Sequence, residues 1–292
     1  MRNTKIEWAD MTWNPISGCY GDCPYCYARQ IANRFQFRRD CILTACDGSP
    51  LDSSKDLHIR EDALNRRRVI ELDRAAYLEN TTTEERAAAP YPFGFTPTFR
   101  RDRLEELTHI QGSYKDIFVC SMADLFAPWV PDSWIDEVFD ACESNPNHRY
   151  FFLTKHPERY TQYGVPALKN MWYGTSITRE SEMSRFNCLP AFCNTFVSME
   201  PILEDLRPEN HDILFRQVDW IILGAETGRR KNKVAPQKQW IDKIVKQAVD
   251  TPNGPFLFMK DSLLPAMGEK GMWRSIPPRW YSLRHSEVQE HE

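Results

Sequence analysis

Short apolar runs separated by stretches of helical period recur along the chain, and that alternation restricts its fold more than any other feature. Strand-like runs are read at residues 12–17, 96–99, 117–121 and 150–154. They continue at 171–176, 195–198, 220–223 and 256–259. Helical patterns lie between them over 27–37, 133–143, 180–186 and 237–249. Several of the strands are continuous apolar runs, as in parallel sheets buried on both faces. Repeated strand–helix alternation implies parallel strands joined by right-handed crossovers. The expected fold is α/β, a parallel (β/α) barrel of TIM type, full or partial, in a single domain over residues 1–292. Eight strands complete such a barrel, and a smaller number leaves it open.

Residues 38–95 break the rhythm, being far longer than an ordinary connection. Within them 59–78 is rich in Arg, Glu, Ala and Leu and reads as helix, and 81–92 ends in a proline-bounded turn. The segment is expected to be an inserted helical lid or a peripheral elaboration. After Lys260 the sequence turns irregular, with Pro277 and Pro278 ahead of a polar end from Ser286.

Hydrophobic residues make up 41% of the 292 and charged residues 27%, the composition of a globular chain with a sizeable core. No apolar run approaches the roughly 18 residues of a membrane span. The stretch from Met1 to Glu7 lacks the apolar segment of a secretory signal. A cytoplasmic protein without a membrane partner is therefore expected. There a framework of disulfides is disfavoured, and the odd count of nine cysteines excludes full pairing. A net charge of −4 argues against coating nucleic acid by charge alone. Local basic runs remain, at Arg66, Arg67 and Arg68 and at Arg229, Arg230, Lys231 and Lys233. They read either as nucleic-acid contacts or as solvated faces.

Cys19, Cys23 and Cys26 stand at C-x3-C-x2-C, directly after the first strand and before the first helix. In a parallel barrel that is the C-terminal rim, where active sites gather. Three thiolates on one loop can ligate three irons of a cubane and leave the fourth without a protein ligand. A structural zinc site is instead closed by four ligands. Zinc would need His58, Cys41 or Cys46 as the fourth, and only Cys23 and Cys26 form the usual C-x2-C knuckle.

The spacing, with Tyr25 just before the last cysteine, resembles the signature of the radical S-adenosylmethionine (SAM) superfamily. The resemblance implies a [4Fe-4S] cluster on the three cysteines and SAM bound to its open iron. It also implies an external one-electron donor of the flavodoxin or ferredoxin type. Reductive cleavage of SAM would give a 5′-deoxyadenosyl radical that abstracts a hydrogen atom from the substrate. More of the chain resembles the phage Gp37/Gp68-like proteins, a family of unknown function. The matching stretches include Ile6-Glu-Trp8, Thr12-Trp-Asn-Pro15, Cys26-Tyr-Ala28 and 118–126. Others are 153–159, 172–176, Ser198-Met-Glu-Pro201 and 220–228.

Polar residues at later strand ends would face the same mouth. They are Ser121 and Asp124, Thr154 and Lys155, Ser176, Ser198 and Glu200, Glu226, and Lys260. Each reads either as a cap or ion pair or as an active-site group; as a set they favour a site. Asp124, Glu200 and Glu226 are candidates for the ammonium or ribose hydroxyls of SAM, with the serines and threonine as further polar contacts. Lys155 and Lys260 are the catalytic candidates, able to hold a carboxylate or phosphate. The Gly-Gly-Glu stretch that radical SAM enzymes commonly carry at the second strand is missing there. Gly224-Ala-Glu-Thr-Gly228 is similar but lies on the seventh strand.

Cys41 with Cys46, and Cys188 with Cys193, could bind an auxiliary cluster or zinc, while Cys120 and Cys142 read as buried apolar residues. His156 reads as a proton donor or as a helix start. Trp8, Trp13, Trp129 and Trp172 could stack on a base or pack in the core. The reading is a radical SAM enzyme of unidentified substrate, set against a zinc-stabilised nucleic-acid-binding protein without radical chemistry. For the substrate, the phage-like family and the basic runs suggest a nucleotide or nucleic acid, and a peptide or small metabolite is the runner-up.

Overall fold

The computed structural model describes residues 2–35, 41–52, 54–61, 67–83, 85–112, 114–211, 215–228 and 230–278. Its strands begin with β1 (Arg2–Asn3), β2 (Met11–Trp13), β3 (Ile16–Ser17), β4 (Cys41–Thr44) and β5 (Leu57–Glu61). Next come β6 (Arg68–Leu72), β7 (Tyr77–Asn80), β8 (Arg86–Ala88), β9 (Thr98–Arg100) and β10 (Asp116–Val119). The last five are β11 (Arg149–Thr154), β12 (Met171–Ser176), β13 (Asn194–Met199), β14 (Trp220–Leu223) and β15 (Phe256–Met259). The helices are α1 (Tyr27–Arg34), α2 (Asp132–Glu143), α3 (Glu158–Tyr163), α4 (Lys238–Asp250) and α5 (Leu264–Met267). Short 3-10 segments, the longest Arg101–His109 and Glu180–Cys188, serve as further connections.

The largest sheet has the order β1-β2-β10-β11-β12-β13-β14-β15. β1 is antiparallel to β2, and the other seven strands are parallel. The expected α/β class therefore holds, and among the described residues the strand order is linear rather than closed. No helix of the described residues is long and apolar enough to cross a membrane. The chain divides into two compact units. Unit 1 comprises residues 1–3, 11–113 and 118–146; unit 2 comprises 4–10, 114–117 and 147–292.

In unit 2 the parallel pairs β11 to β15 have residues of alternating direction, which gives the sheet two unlike faces. Val197, Met199, Ile221, Leu223, Leu257 and Met259 form one face, packed with Ile241, Ile244 and Ala248 of α4. Those three helix residues recur at helical spacing, so α4 covers the sheet with one stripe and turns its lysines outward. Phe151, Trp172, Phe196 and Trp220 form the other face, and Trp8 inserts against them. Trp8 lies 5.5 Å from Phe151 and 5.7 Å from Trp220, both edge to face. Pairs of this kind add about 0.5–1.5 kcal/mol each beyond the area they bury. Gly174 leaves the room this layer needs, since a Cβ there would stand 2.5 Å from the Phe196 ring.

In unit 1 the expected strand over 12–17 is two strands in different sheets, divided at Asn14-Pro15. Pro15 has no N–H to continue a ladder, and its carbonyl accepts from the Arg100 N–H at 2.7 Å. The expected helical insertion is overturned: where 59–78 was to be helix, the described residues form β5, β6 and β7. β5 pairs with β6 antiparallel, and β6 joins β9 and β3 in a four-stranded sheet. β4, β7 and β8 form a three-stranded antiparallel sheet. The helix-favouring Arg and Glu that suggested a helix belong to exposed ends, Arg60, Glu61 and Arg68. Val69, Ile70 and Leu72 are buried, and strand pairing overrides the local preference. Residues 62–66 of the expected helix lie outside the described residues. α2 starts with Pro131 at its cap and Asp132 in its first turn, and buries Trp134, Ile135, Val138, Phe139 and Cys142.

Candidate functional site

The three-thiol loop leaves β3, which pairs with β9, and ends at α1. Gly18 starts it with φ +90°, and a Cβ there would lie 2.3 Å from the Thr96 carbonyl oxygen. Only glycine tolerates both the angle and the approach. Gly18 N–H donates to Met122 O at 2.9 Å and Cys19 N–H to Phe95 O at 3.0 Å, tying the loop to two other segments of the unit. Asn14 Oδ1 accepts from Met122 N–H at 2.9 Å and from Ser121 Oγ at 3.1 Å. The Tyr27 hydroxyl donates to Ser121 O at 2.7 Å. Ser121 thus helps to fix the loop through both its hydroxyl and its carbonyl.

The sulfurs take part in the loop's own bonding. Gly21 N–H points to Cys19 Sγ at 3.2 Å, and Cys26 Sγ caps α1 by accepting from Arg29 N–H at 3.4 Å. Arg29 donates through Nη2 to the Gly21 carbonyl, and its guanidinium sits 5.3 Å from the Phe95 ring centroid. Its Nε is buried with no hydrogen-bond partner, which costs about 1–3 kcal/mol. All three cysteines are half-buried. The Cys19 thiol is pushed up to about 12, mainly by burial, with Asp124, Cys23 and Cys26 adding to the rise and the Gly21 N–H opposing it. Asp124, Cys23 and Cys26 are therefore each within electrostatic reach of Cys19. Asp124 also accepts from Phe126 N–H at 3.2 Å. Tyr25 is half-buried within the loop.

The donor set matches what a cubane with one open iron requires, three thiols on one short loop. Among the described residues no three His, Cys, Asp or Glu side chains have turned onto a common centre as they would around an ion. One of the residues that could complete a zinc site is engaged elsewhere: His58 Nε2 lies 3.1 Å from Asp73.

The remaining predicted site residues belong to unit 2. Ser176, the last residue of β12, and Ser198, the last but one of β13, stand opposite each other in the register, on the same face as the aromatic layer. Glu200 and Lys260 continue that alternation past the strand ends and meet at 2.6 Å. Gly224 makes this meeting possible, since a Cβ there would be 2.8 Å from the Glu200 side chain. Glu226 is buried and held by Arg230, with both guanidinium contacts at 2.6 Å. That pairing lowers its pKa from the ordinary glutamate value. Thr154 falls on the opposite face, paired in register with Thr175, and its hydroxyl accepts from His156 N–H at 2.9 Å. Lys155 lies within electrostatic reach of Glu182. Unit 2 thus brings Ser176, Ser198, Glu200 and Lys260 together and sets Thr154 apart.

Asn14, Gly18, Arg29 and Glu182 were not singled out from sequence. Glu182 accepts from Thr178 N–H at 2.6 Å and from its hydroxyl at 3.0 Å, and pairs with Arg185 at 3.0 Å. The sequence does carry a signal for Asn14, an Asn-Pro step at a strand end, and for Gly174, a glycine inside a strand. Of the four tryptophans considered for stacking, Trp8, Trp13 and Trp172 are core residues, whereas Trp129 is half-buried.

No curated protein and no solved structure matches the chain. A family model described as "Protein of unknown function (DUF5131)" matches residues 3–263. That span includes the three-thiol loop and every strand from β2 to β15, and the chain belongs to this family.

Proposed function

We propose that the chain is a radical SAM enzyme whose [4Fe-4S] cluster is held by Cys19, Cys23 and Cys26. The observation that carries the reading is the donor set itself: three free thiols on one loop between a strand and a helix. When bound, the cluster supplies the single electron that cleaves SAM and so starts hydrogen abstraction from the substrate.

The protein's own part is positional. Gly18 and Asn14 hold the start of the loop, and the Tyr27 hydroxyl its end, to the segment after β10, while Cys19 N–H ties it to Phe95 ahead of β9. Cys26 ties its sulfur to the first turn of α1, and Arg29 clamps the loop at Gly21. Binding of a metal cation reverses the electrostatics of the thiols, because each must release its proton to become a ligand. Asp124, within electrostatic reach of Cys19, would be suited as a carboxylate to an ammonium group bound beside the cluster.

Within unit 2, Glu200 is assigned an ammonium or hydroxyl partner and Lys260 a carboxylate or phosphate, with Ser176 and Ser198 beside them. Lys155 and Glu226 are assigned the same classes of ligand, and like Glu200 and Lys260 each already faces an opposite charge. The finer fold reading is a partial TIM-type barrel. The resemblance to phage Gp37/Gp68-like proteins points to a nucleotide or nucleic acid as substrate, and a flavodoxin or ferredoxin type protein serves as electron donor.

The test is turnover. Anaerobic, reconstituted protein given dithionite and SAM should release 5′-deoxyadenosine, and Cys23→Ala should not. Equal release from both proteins, or none from an iron-loaded wild type, contradicts the proposal.

A further inference from the structure

Beside the three thiols lies a group of side chains that neither the cluster nor the core uses. Tyr20 follows Cys19 directly, and its ring meets Trp129 edge to face at 5.6 Å. The Arg67 guanidinium covers both rings, 5.2 Å from the Tyr20 centroid and 5.4 Å from that of Trp129. The Tyr20 hydroxyl donates to the Arg68 carbonyl at 2.5 Å, which fixes the ring against β6. Arg67 and Arg68 are exposed, while Tyr20 and Trp129 are half-buried.

We propose that this surface binds a nucleobase carrying a phosphate, with Tyr20 and Trp129 as the stacking partners and Arg67 and Arg68 as the phosphate partners. Two half-buried aromatic rings fixed at their edges offer flat area that a base can share. An exposed arginine resting on them is held only weakly, so a base can displace it from the rings. The guanidinium then stays within reach of the phosphate, for which its planar fork is suited. An acidic peptide would satisfy the arginines but leave the rings unused, and an apolar ligand would do the reverse. The second guanidinium–ring pair, Arg29 with Phe95, is anchored on the same loop through Gly21.

As a statement about substrate class the inference rests on the cluster reading; as a statement about binding it does not. The test uses the full chain and a fluorescein-labelled single-stranded oligonucleotide of mixed sequence, read by anisotropy at low salt. Wild type should bind, and Tyr20→Phe, which keeps the ring but loses its bond to the Arg68 carbonyl, should weaken binding less than Tyr20→Leu does. Tyr20→Leu and Arg67→Gln should each weaken binding about tenfold, and Arg67→Gln should reduce the salt slope by about 1. Lys246→Gln, on the exposed side of α4, should bind as wild type does. Circular dichroism on each variant separates lost binding from lost folding, and Arg67, being exposed, keeps the experiment informative if Tyr20→Leu unfolds. Displacement by free mononucleotides identifies a free nucleotide as the ligand, and displacement by the unlabelled strand alone identifies a strand segment. No binding by wild type, or equal binding by wild type, Tyr20→Leu and Arg67→Gln, overturns the inference. Iron is measured on the same samples. Iron without the variant pattern sinks this inference alone, and the variant pattern without iron sinks the cluster reading alone.

Discussion

Three glycines do at single positions what no other residue can. A Cβ at Gly18 would meet the Thr96 carbonyl, at Gly174 the Phe196 ring and at Gly224 the Glu200 side chain. Gly174→Ala overpacks the aromatic layer of unit 2 and should destabilise the protein by about 1–3 kcal/mol. Urea unfolding measures it, and an unchanged midpoint contradicts the packing described. Glu226 provides a prediction with a pH sign. Arg230 lowers its carboxyl pKa below the ordinary 4.5, so the pairing stabilises the fold above that pH and is lost as pH falls through the depressed value. The difference in thermal midpoint between wild type and Arg230→Gln should therefore be constant near neutrality and shrink on acidification below about 4.5. A difference that grows in acid contradicts it. Cys19, Cys23 and Cys26 were legible in the sequence because their spacing lies within one loop. Gly18 and Asn14 were not, because what makes them necessary are Thr96 and Met122, far along the chain.

At the scale of elements, the strands of unit 2 were readable to the residue or nearly so. β12, β14 and β15 have the expected bounds, since buried parallel strands are plain apolar runs. The insertion was misread because β5 and β6 obtain their stability from pairing with each other and with β9, which a local pattern does not reveal. β6 also carries a buried charge that the helical reading could not have placed. Glu71 is 1% exposed and accepts from Trp134 Nε1 at 2.8 Å, with Arg60 at 3.0 Å and Arg101 at 3.1 Å. Arg101 reaches Asp73 at 2.6 Å and Glu137 at 2.9 Å, joining β6 to α2. Removing one partner of a buried ion pair costs about 3–5 kcal/mol where it leaves the other uncompensated. Arg101→Leu leaves Glu71 with Arg60 and Trp134, so it should cost less, about 2 kcal/mol, in chemical denaturation. A loss below about 1 kcal/mol, the usual value for surface pairs, contradicts a structural role for the network.

For the molecule as a whole, the α/β class followed from the alternation of strands and helices, whereas the division into two units did not. That division depends on which distant segments pack together: residues 4–10 place Trp8 in unit 2, while 11–17 begin the sheets of unit 1. The functional account turns on a metal that the three-thiol loop is suited to hold. The most direct measurement is the metal and sulfide content of anaerobically purified wild type beside Cys23→Ala. Wild type should carry about four irons and four sulfides per chain with broad absorption near about 400 nm, and Cys23→Ala should lose most of both. One zinc per chain and no iron would contradict the account.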